Sequence, residues 1–213
     1  MAITISGSGI VEANIANGAV SSDKLATGID ATKLADGTVT STELQYINTL
    51  ASNAQTQIDG VGGGILVQQV HTQDGAVSTT TTTIPHDDTI PQNTEGGEFM
   101  TLAVTPTNSS NILEIDVTVN SSCSASNAWG CVGLFQDTTA GALSANHDHK
   151  GEGTGMHLTT LRYHMAAGTT SATTFKVRYG YSLSGTCTFN GQAGGRELGG
   201  VLASHITIKE FTV

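Results

Sequence analysis

From Leu44 to Val61 the apolar residues Leu44, Ile47, Ala51, Ala54, Ile58 and Val61 recur at spacings of 3, 4, 3, 4 and 3. That beat is the seam of a coiled coil and predicts a short helix over 42–60. So narrow a stripe cannot bury itself; it needs copies of itself or a larger surface. Two and a half heptads span only about 27 Å at 1.5 Å per residue, too little to hold a multimer alone. The flanking segments must contribute.

Upstream, GIVEANIANGAVSSDKL (9–25) aligns with GIDATKLADGTVTSTEL (28–44) at an offset of 19. Ile10, Ile15, Val20 and Leu25 fall every five residues, as do Ile29, Leu34, Val39 and Leu44. A five-residue beat fits neither a helix nor a flat strand. It fits an extended thread with Asn-Gly and Asp-Gly turns at 17–18 and 36–37. Wound with copies of itself, such a thread buries one residue per step. A disordered linker is the competing reading, but a linker has no reason to keep its apolar residues in phase. Residues 1–41 are therefore expected to be an anchoring thread, and 61–64 a glycine hinge after the helix.

From Ile65 onward the period becomes two. Strands are predicted at 65–71, 76–84, 97–104, 111–119, 129–136, 156–166, 172–182 and 200–211, with a weaker one at 185–190. Leu113, Ile115, Val117 and Val119 alternate with Glu114 and Asp116, and Phe175, Val177 and Tyr179 alternate with Lys176 and Arg178. This spacing predicts a sandwich or jelly roll over 65–213 rather than βαβ units.

Composition narrows the class. Charged residues make up 12%, about half the usual share, and Gly reaches 26 against 3 Pro. Such a profile suits all-β virion or extracellular proteins. It also suits three weakly charged heads that bury apolar strand faces against one another. The net charge of −10 argues against nucleic acid and anionic membranes as partners. No apolar run is long enough for a membrane span, and MAITISGSG has no basic start or long apolar core of a secretion signal. Cys123, Cys131 and Cys187 have neither zinc-site nor disulfide-framework spacing. They read as small buried residues in strands, with a Cys123–Cys131 bridge across a loop as an alternative.

The segment DGTVTSTELQYINTLASNAQTQID (36–59) resembles one found in tailed-phage fibre proteins, an acidic-Gly-Val thread running into a short helix. Glu43, Leu44, Tyr46, Ile47, Leu50, Ser52, Asn53, Gln55, Gln57, Ile58 and Asp59 carry the match. SHITIKEF (204–211) and FKVRYG (175–180) are similar to the C-terminal trimeric jelly rolls of some phage fibres and of the C1q/TNF-like group. In that group the last strand lies near the trimer axis. The resemblance implies a mainly β, homotrimeric virion fibre. An N-terminal thread would attach it to another virion protein, a short trimeric coiled coil would set register, and a head would contact host-surface glycan. A tail fibre or tip adhesin is the first expectation; a head or collar fibre or capsid decoration protein is the alternative.

Candidate chemistry is sparse. GxSxG, HExxH and P-loop motifs are absent from the sequence, so no enzyme activity and no cofactor are expected. His147 and His149 form an HxH pair in NHDHK (146–150). In a strand both would point one way, and three pairs on a threefold axis would offer six nitrogens to a transition metal, as in some phage fibre tips. The glycine-flanked context reads instead as a surface loop of solvated histidines, so no metal is assigned. Asp87 and Asp88 read as an exposed turn, since adjacent acids point apart. Thr79–Thr83 reads as a strand with one exposed face. Trp129 is the only tryptophan; it is expected to fill the core at the start of a strand, or else to mark a binding surface. The stretches 120–129, 137–155 and 184–200 are candidate receptor loops.

Overall fold

The computed structural model describes Thr40, Thr42, Glu43, Tyr46 and residues 64–213, apart from the side chain of Lys150. The chain divides into two compact units, Met1–Val61 and Gly62–Val213. In the first, Thr42, Glu43 and Tyr46 are helical. Thr40 N donates to the Glu43 carboxylate at 2.8 Å, and Glu43 N donates to Thr40 Oγ1 at 3.2 Å. That reciprocal pair is a capping box, written in the sequence as Thr-Ser-Thr-Glu. The backbone and hydroxyl bonds from Thr40 hold the Glu43 carboxyl below its usual range. The seam (Leu44, Ile47, Ala51, Ala54, Ile58, Val61) and the thread (Ile10, Ile15, Val20, Leu25, Ile29, Leu34, Val39) lie outside the described residues.

The second unit is a β-sandwich of twelve described strands: β1 (Leu66–Asp74), β2 (Ser78–Thr80), β3 (Gly97–Val104), β4 (Ile112–Cys123), β5 (Ala128–Gln136), β6 (Ser144–Lys150), β7 (His157–Ala166), β8 (Thr173–Tyr181), β9 (Cys187–Phe189), β10 (Gly191–Gln192), β11 (Gly195–Arg196) and β12 (Ser204–Phe211). One sheet runs β1-β12-β4-β9-β2, with β7 on the other edge of β4; the other runs β3-β8-β5-β6, and β10 and β11 pair as a separate two-stranded ribbon. Among the eight long strands the chain changes sheet at every connection except the β5–β6 hairpin.

Strict alternation produces this layering. Leu113, Ile115, Val117 and Val119 of β4 face inward, with Phe175, Val177 and Tyr179 of β8 opposite and Ile206 and Ile208 of β12 beside them. Each such side chain contributes roughly 1.5–3 kcal/mol by leaving water. The outward positions at the centre of the first sheet are polar: Gln69, His71, Asp116, Thr118, Thr207 and Lys209. Alternation hands the apolar half of each strand to the sandwich interior, so this outer face is left polar.

Loops collect at two ends. One end holds 105–111, 137–143 and 167–172, tied by Ala167 N to Asn111 O and Thr174 N to Asp137 Oδ1, both at 2.8 Å. The chain enters the sandwich at this same end, where Gly64 N donates to Thr212 O at 3.2 Å and Leu66 pairs with Phe211. The other end holds 124–127, 151–156 and 182–186, joined by Asn127 N to Gly151 O (3.2 Å) and Ser124 N to Thr186 O (3.0 Å). The predicted loop 137–155 is thus divided by a strand, and its two parts lie at opposite ends.

Candidate functional site

The end opposite the chain's point of entrance carries an aromatic cluster. Trp129, second residue of β5, pairs with Ser182 through both main-chain groups: its N donates to Ser182 Oγ at 3.0 Å, and Ser182 N donates to its carbonyl at 2.8 Å. Its side chain is half-buried on the outer face of the second sheet. His149 lies directly across from it on β6, and His147 lies across from Cys131. The period of two puts both imidazoles over the indole. Their ring centroids lie 4.6 Å (His149) and 4.8 Å (His147) from that of Trp129.

A third imidazole arrives from the segment between β2 and β3. Ile84, fully buried, anchors this segment: its N donates to Tyr181 O at 3.2 Å, and Gly96 N returns to Thr83 O at 2.9 Å. Gly96 has φ +62°, and a Cβ there would lie 2.8 Å from Ile84 Cδ1, so glycine is what lets the return close. Two residues on, His86 stacks on Trp129 at 4.4 Å with rings 3° from parallel, and meets His147 edge-on at 4.9 Å. His86, His147 and His149 are all exposed. The result is a ledge of three solvated imidazoles on an indole base, able to stack against an apolar ring face and to exchange hydrogen bonds at its rim.

Behind the ledge, Asp148 points to the other side of β6 and pairs with His157 of β7 at 2.7 Å, bridging the two sheets. Beside that bridge lies a groove of about 330 Å³ lined by Met156, Leu158, Leu198 and Leu202 with Asn120 and Gln192. The distal end therefore offers aromatic, apolar and amide groups together.

A larger groove, about 630 Å³, lies on the outer face of the first sheet over Gln69, Asp116, Arg162, His205 and Lys209. Its charges are matched. Arg162 Nε donates to Asp116, Lys209 Nζ reaches Glu114 at 2.8 Å and Asp116 at 3.4 Å, and His164 lies 3.0 Å from Glu114. Burial alone would raise the Asp116 carboxyl, but the bonds and charges of Arg162 and Lys209 outweigh it and hold it low. The Lys209 bond holds Glu114 low as well. Such a network suits a fixed polar face better than proton transfer, which calls for a carboxyl tuned toward neutral pH.

Several sequence expectations change. The NHDHK stretch is a strand, not a loop. It is an edge strand, bonded on one side only to β5, so it needs no apolar run. Trp129 is not in the core, because alternation from the buried Ala128 turns it outward. The Asp87–Asp88 turn is exposed, as expected, and Asp87 closes it by accepting from Thr89 N at 2.9 Å and from the Thr89 hydroxyl. Of the threonine run only Thr79 and Thr80 are strand, within Ser78–Thr80. Among the described residues no group of three or more His, Cys, Asp or Glu is arranged to hold a metal ion. No helix among them is long and apolar enough to cross a membrane.

No protein-family model matches the chain, and neither does any curated protein. Among solved structures it is similar to the dimeric latent PorU from Porphyromonas gingivalis, at 8% identity over 71% of this chain with TM-score 0.34. It is also similar to the enzymatically active domain of bacteriophage CBA120 tailspike protein 4, at 10% identity over 58% with TM-score 0.24. This chain covers 14% and 18% of those two chains, respectively.

Proposed function

We propose that the chain is a homotrimeric structural protein of a tailed-phage virion, a tail-fibre or tip adhesin whose β head contacts host-surface glycan. The observation that carries the contact is the placement of the Trp129 ledge. It sits at the end of the sandwich opposite the one where β1 begins, and its exposed rings are the kind on which the C–H face of a sugar stacks. Multivalency of three heads would raise a weak single-site affinity.

The strand order supports a C1q/TNF-like jelly roll. Its eight long strands, renumbered in sequence, run 1-8-3-6 in one sheet and 2-7-4-5 in the other, an order derived from the pairings above. In that group the last strand lies near the trimer axis, so the polar face over Lys209 and Asp116 would meet its copies. The N-terminal thread would join another virion protein, placing the chain on the particle surface. The reading assigns no catalysis, cofactor, nucleic acid or membrane span. A head or collar fibre or decoration protein is the alternative; a label on the C-terminus seen on capsids rather than tails would select it.

Two measurements test the proposal. Light scattering on the full chain should give about three times 21.8 kDa; a monomer sinks the fibre reading. Retention on host polysaccharide should fall about tenfold in Trp129→Ala and severalfold in the exposed-residue variant His86→Ala, each still at the parent's mass. Undiminished retention in both variants would remove the ledge as the contact.

A further inference from the structure

The sequence offers Cys123 no partner at a recognisable spacing, but the fold supplies one. Cys123 ends β4 and Cys187 opens β9, and the two are directly opposite in the antiparallel register. Asn190 N donates to Asn120 O at 2.8 Å and Ser124 N to Thr186 O at 3.0 Å. Hydrogen-bonded and non-hydrogen-bonded pairs alternate along an antiparallel ladder. With 120/190 and 124/186 bonded, 122/188 is bonded as well, and 121/189 and 123/187 are the non-bonded pairs. At such a site the Cα atoms lie about 4.5 Å apart with the side chains drawn together, inside the range a disulfide spans. Both cysteines face the interior at 2% exposure, on the same side of the sheet as Phe189.

We infer that Cys123 and Cys187 are a modification site, a dithiol poised to close into a cross-strand disulfide in an oxidising medium. The oxidant is a low-molecular-weight disulfide. One cysteine thiolate attacks its S–S bond, releasing one thiol and leaving a mixed disulfide. The second thiolate attacks the protein sulfur of that intermediate, releasing the second thiol. The two cysteines lose two electrons and two protons in all, and the oxidant is reduced to two thiols. Both thiols are buried in the finished fold and β9 is held between β4 and β2, so the exchange takes place as the chain folds, before β9 closes. Cys131 is excluded by position. It belongs to β5 in the other sheet, faces its outer side toward His147, and burial pushes its thiol up to about 11. A Cys123–Cys131 bridge would have to span the sandwich.

The test uses the full chain carrying Cys131→Ser, unfolded in urea and refolded in a glutathione redox buffer. The expected product has no titratable thiol, a mass lower by two hydrogens, and a linked peptide pair containing Cys123 and Cys187. A parallel Cys187→Ser chain should keep both remaining thiols, Cys123 and Cys131, free. Two titratable thiols in the Cys131→Ser product, or glutathione retained on either cysteine, overturns the inference. So does a Cys123–Cys131 bond in the Cys187→Ser chain.

Discussion

Replacing Glu210 with alanine is expected to destabilise the β head by roughly 3–5 kcal/mol, the cost of breaking a buried charged network on one side. Glu210 occupies the fourth inward position of β12 after Ser204, Ile206 and Ile208, and it is 0% exposed. One carboxylate oxygen accepts from Thr107 N (2.9 Å), Thr107 Oγ1 (2.8 Å), Asn108 N (3.3 Å) and Asn111 Nδ2 (2.6 Å); the other accepts from Gln68 Nε2. The 105–111 loop is thus folded around this one anion, and alanine would leave its donors without an acceptor. Burial by itself pushes the carboxyl up. The bonds from Gln68, Asn111 and Thr107 outweigh it and hold the group at about 2, against an ordinary value of 4.5. Because the folded state lowers this pKa, the stabilisation is fully present above about pH 4.5 and is lost as pH falls toward 2. It amounts to about 3 kcal/mol. Urea unfolding followed by Trp129 fluorescence should show parent and Glu210→Gln converging in stability as pH falls through that window. A constant difference from pH 7 to pH 2 would mean the carboxylate is not what the loop folds around.

The strands that carry the sandwich were legible because both faces of the pattern were present. Leu113 to Val119 and Phe175 to Tyr179 alternate without a break, and the predicted 97–104 coincides with β3. What escaped was whatever depends on a partner distant in sequence. Ser144–Lys150 has no apolar run to announce it; it becomes a strand because β5 lends it one row of hydrogen bonds. Trp129 reads as core by type, and only its register with His149 and the arrival of His86 show it facing outward. Glu210 looks like one more polar residue of the last strand, since the four residues that solvate it, Gln68, Thr107, Asn108 and Asn111, lie far upstream. The Cys123–Cys187 juxtaposition is invisible for the same reason: spacing along the chain says nothing about register across it. The capping box, by contrast, is local: Thr40 and Glu43 are three residues apart and need no distant partner.

The ledge also depends on a close approach beneath it, and disturbing that approach gives the second large effect. Gly130 follows Trp129 and faces inward. A Cβ there would lie 2.2 Å from Tyr179 Oη, 3.2 Å from the carbon bearing it and 3.3 Å from Tyr181 Cε1. Tyr179 is wholly buried and meets Tyr181 edge-on at 5.6 Å, so neither ring has room to retreat. Gly130→Ala should therefore destabilise the head by about 3 kcal/mol. It should also weaken polysaccharide retention by shifting the start of β5 on which Trp129 stands. Tyr179→Phe alone should change stability little. Among the described residues no hydrogen bond of good geometry reaches the Tyr179 hydroxyl, and its weak interactions with the Ser121 and Tyr181 hydroxyls are the most that its removal deletes. Combined with Gly130→Ala it removes the oxygen that clashes, and the nearest remaining atoms are at 3.2 Å and beyond. Most of the lost stability should return, giving a coupling energy of about 2 kcal/mol in a double-mutant cycle of urea midpoints. Additive effects would show that the alanine is accommodated by moving β5 rather than by meeting Tyr179. In that case the ledge should fail to bind in the double variant as it does in Gly130→Ala.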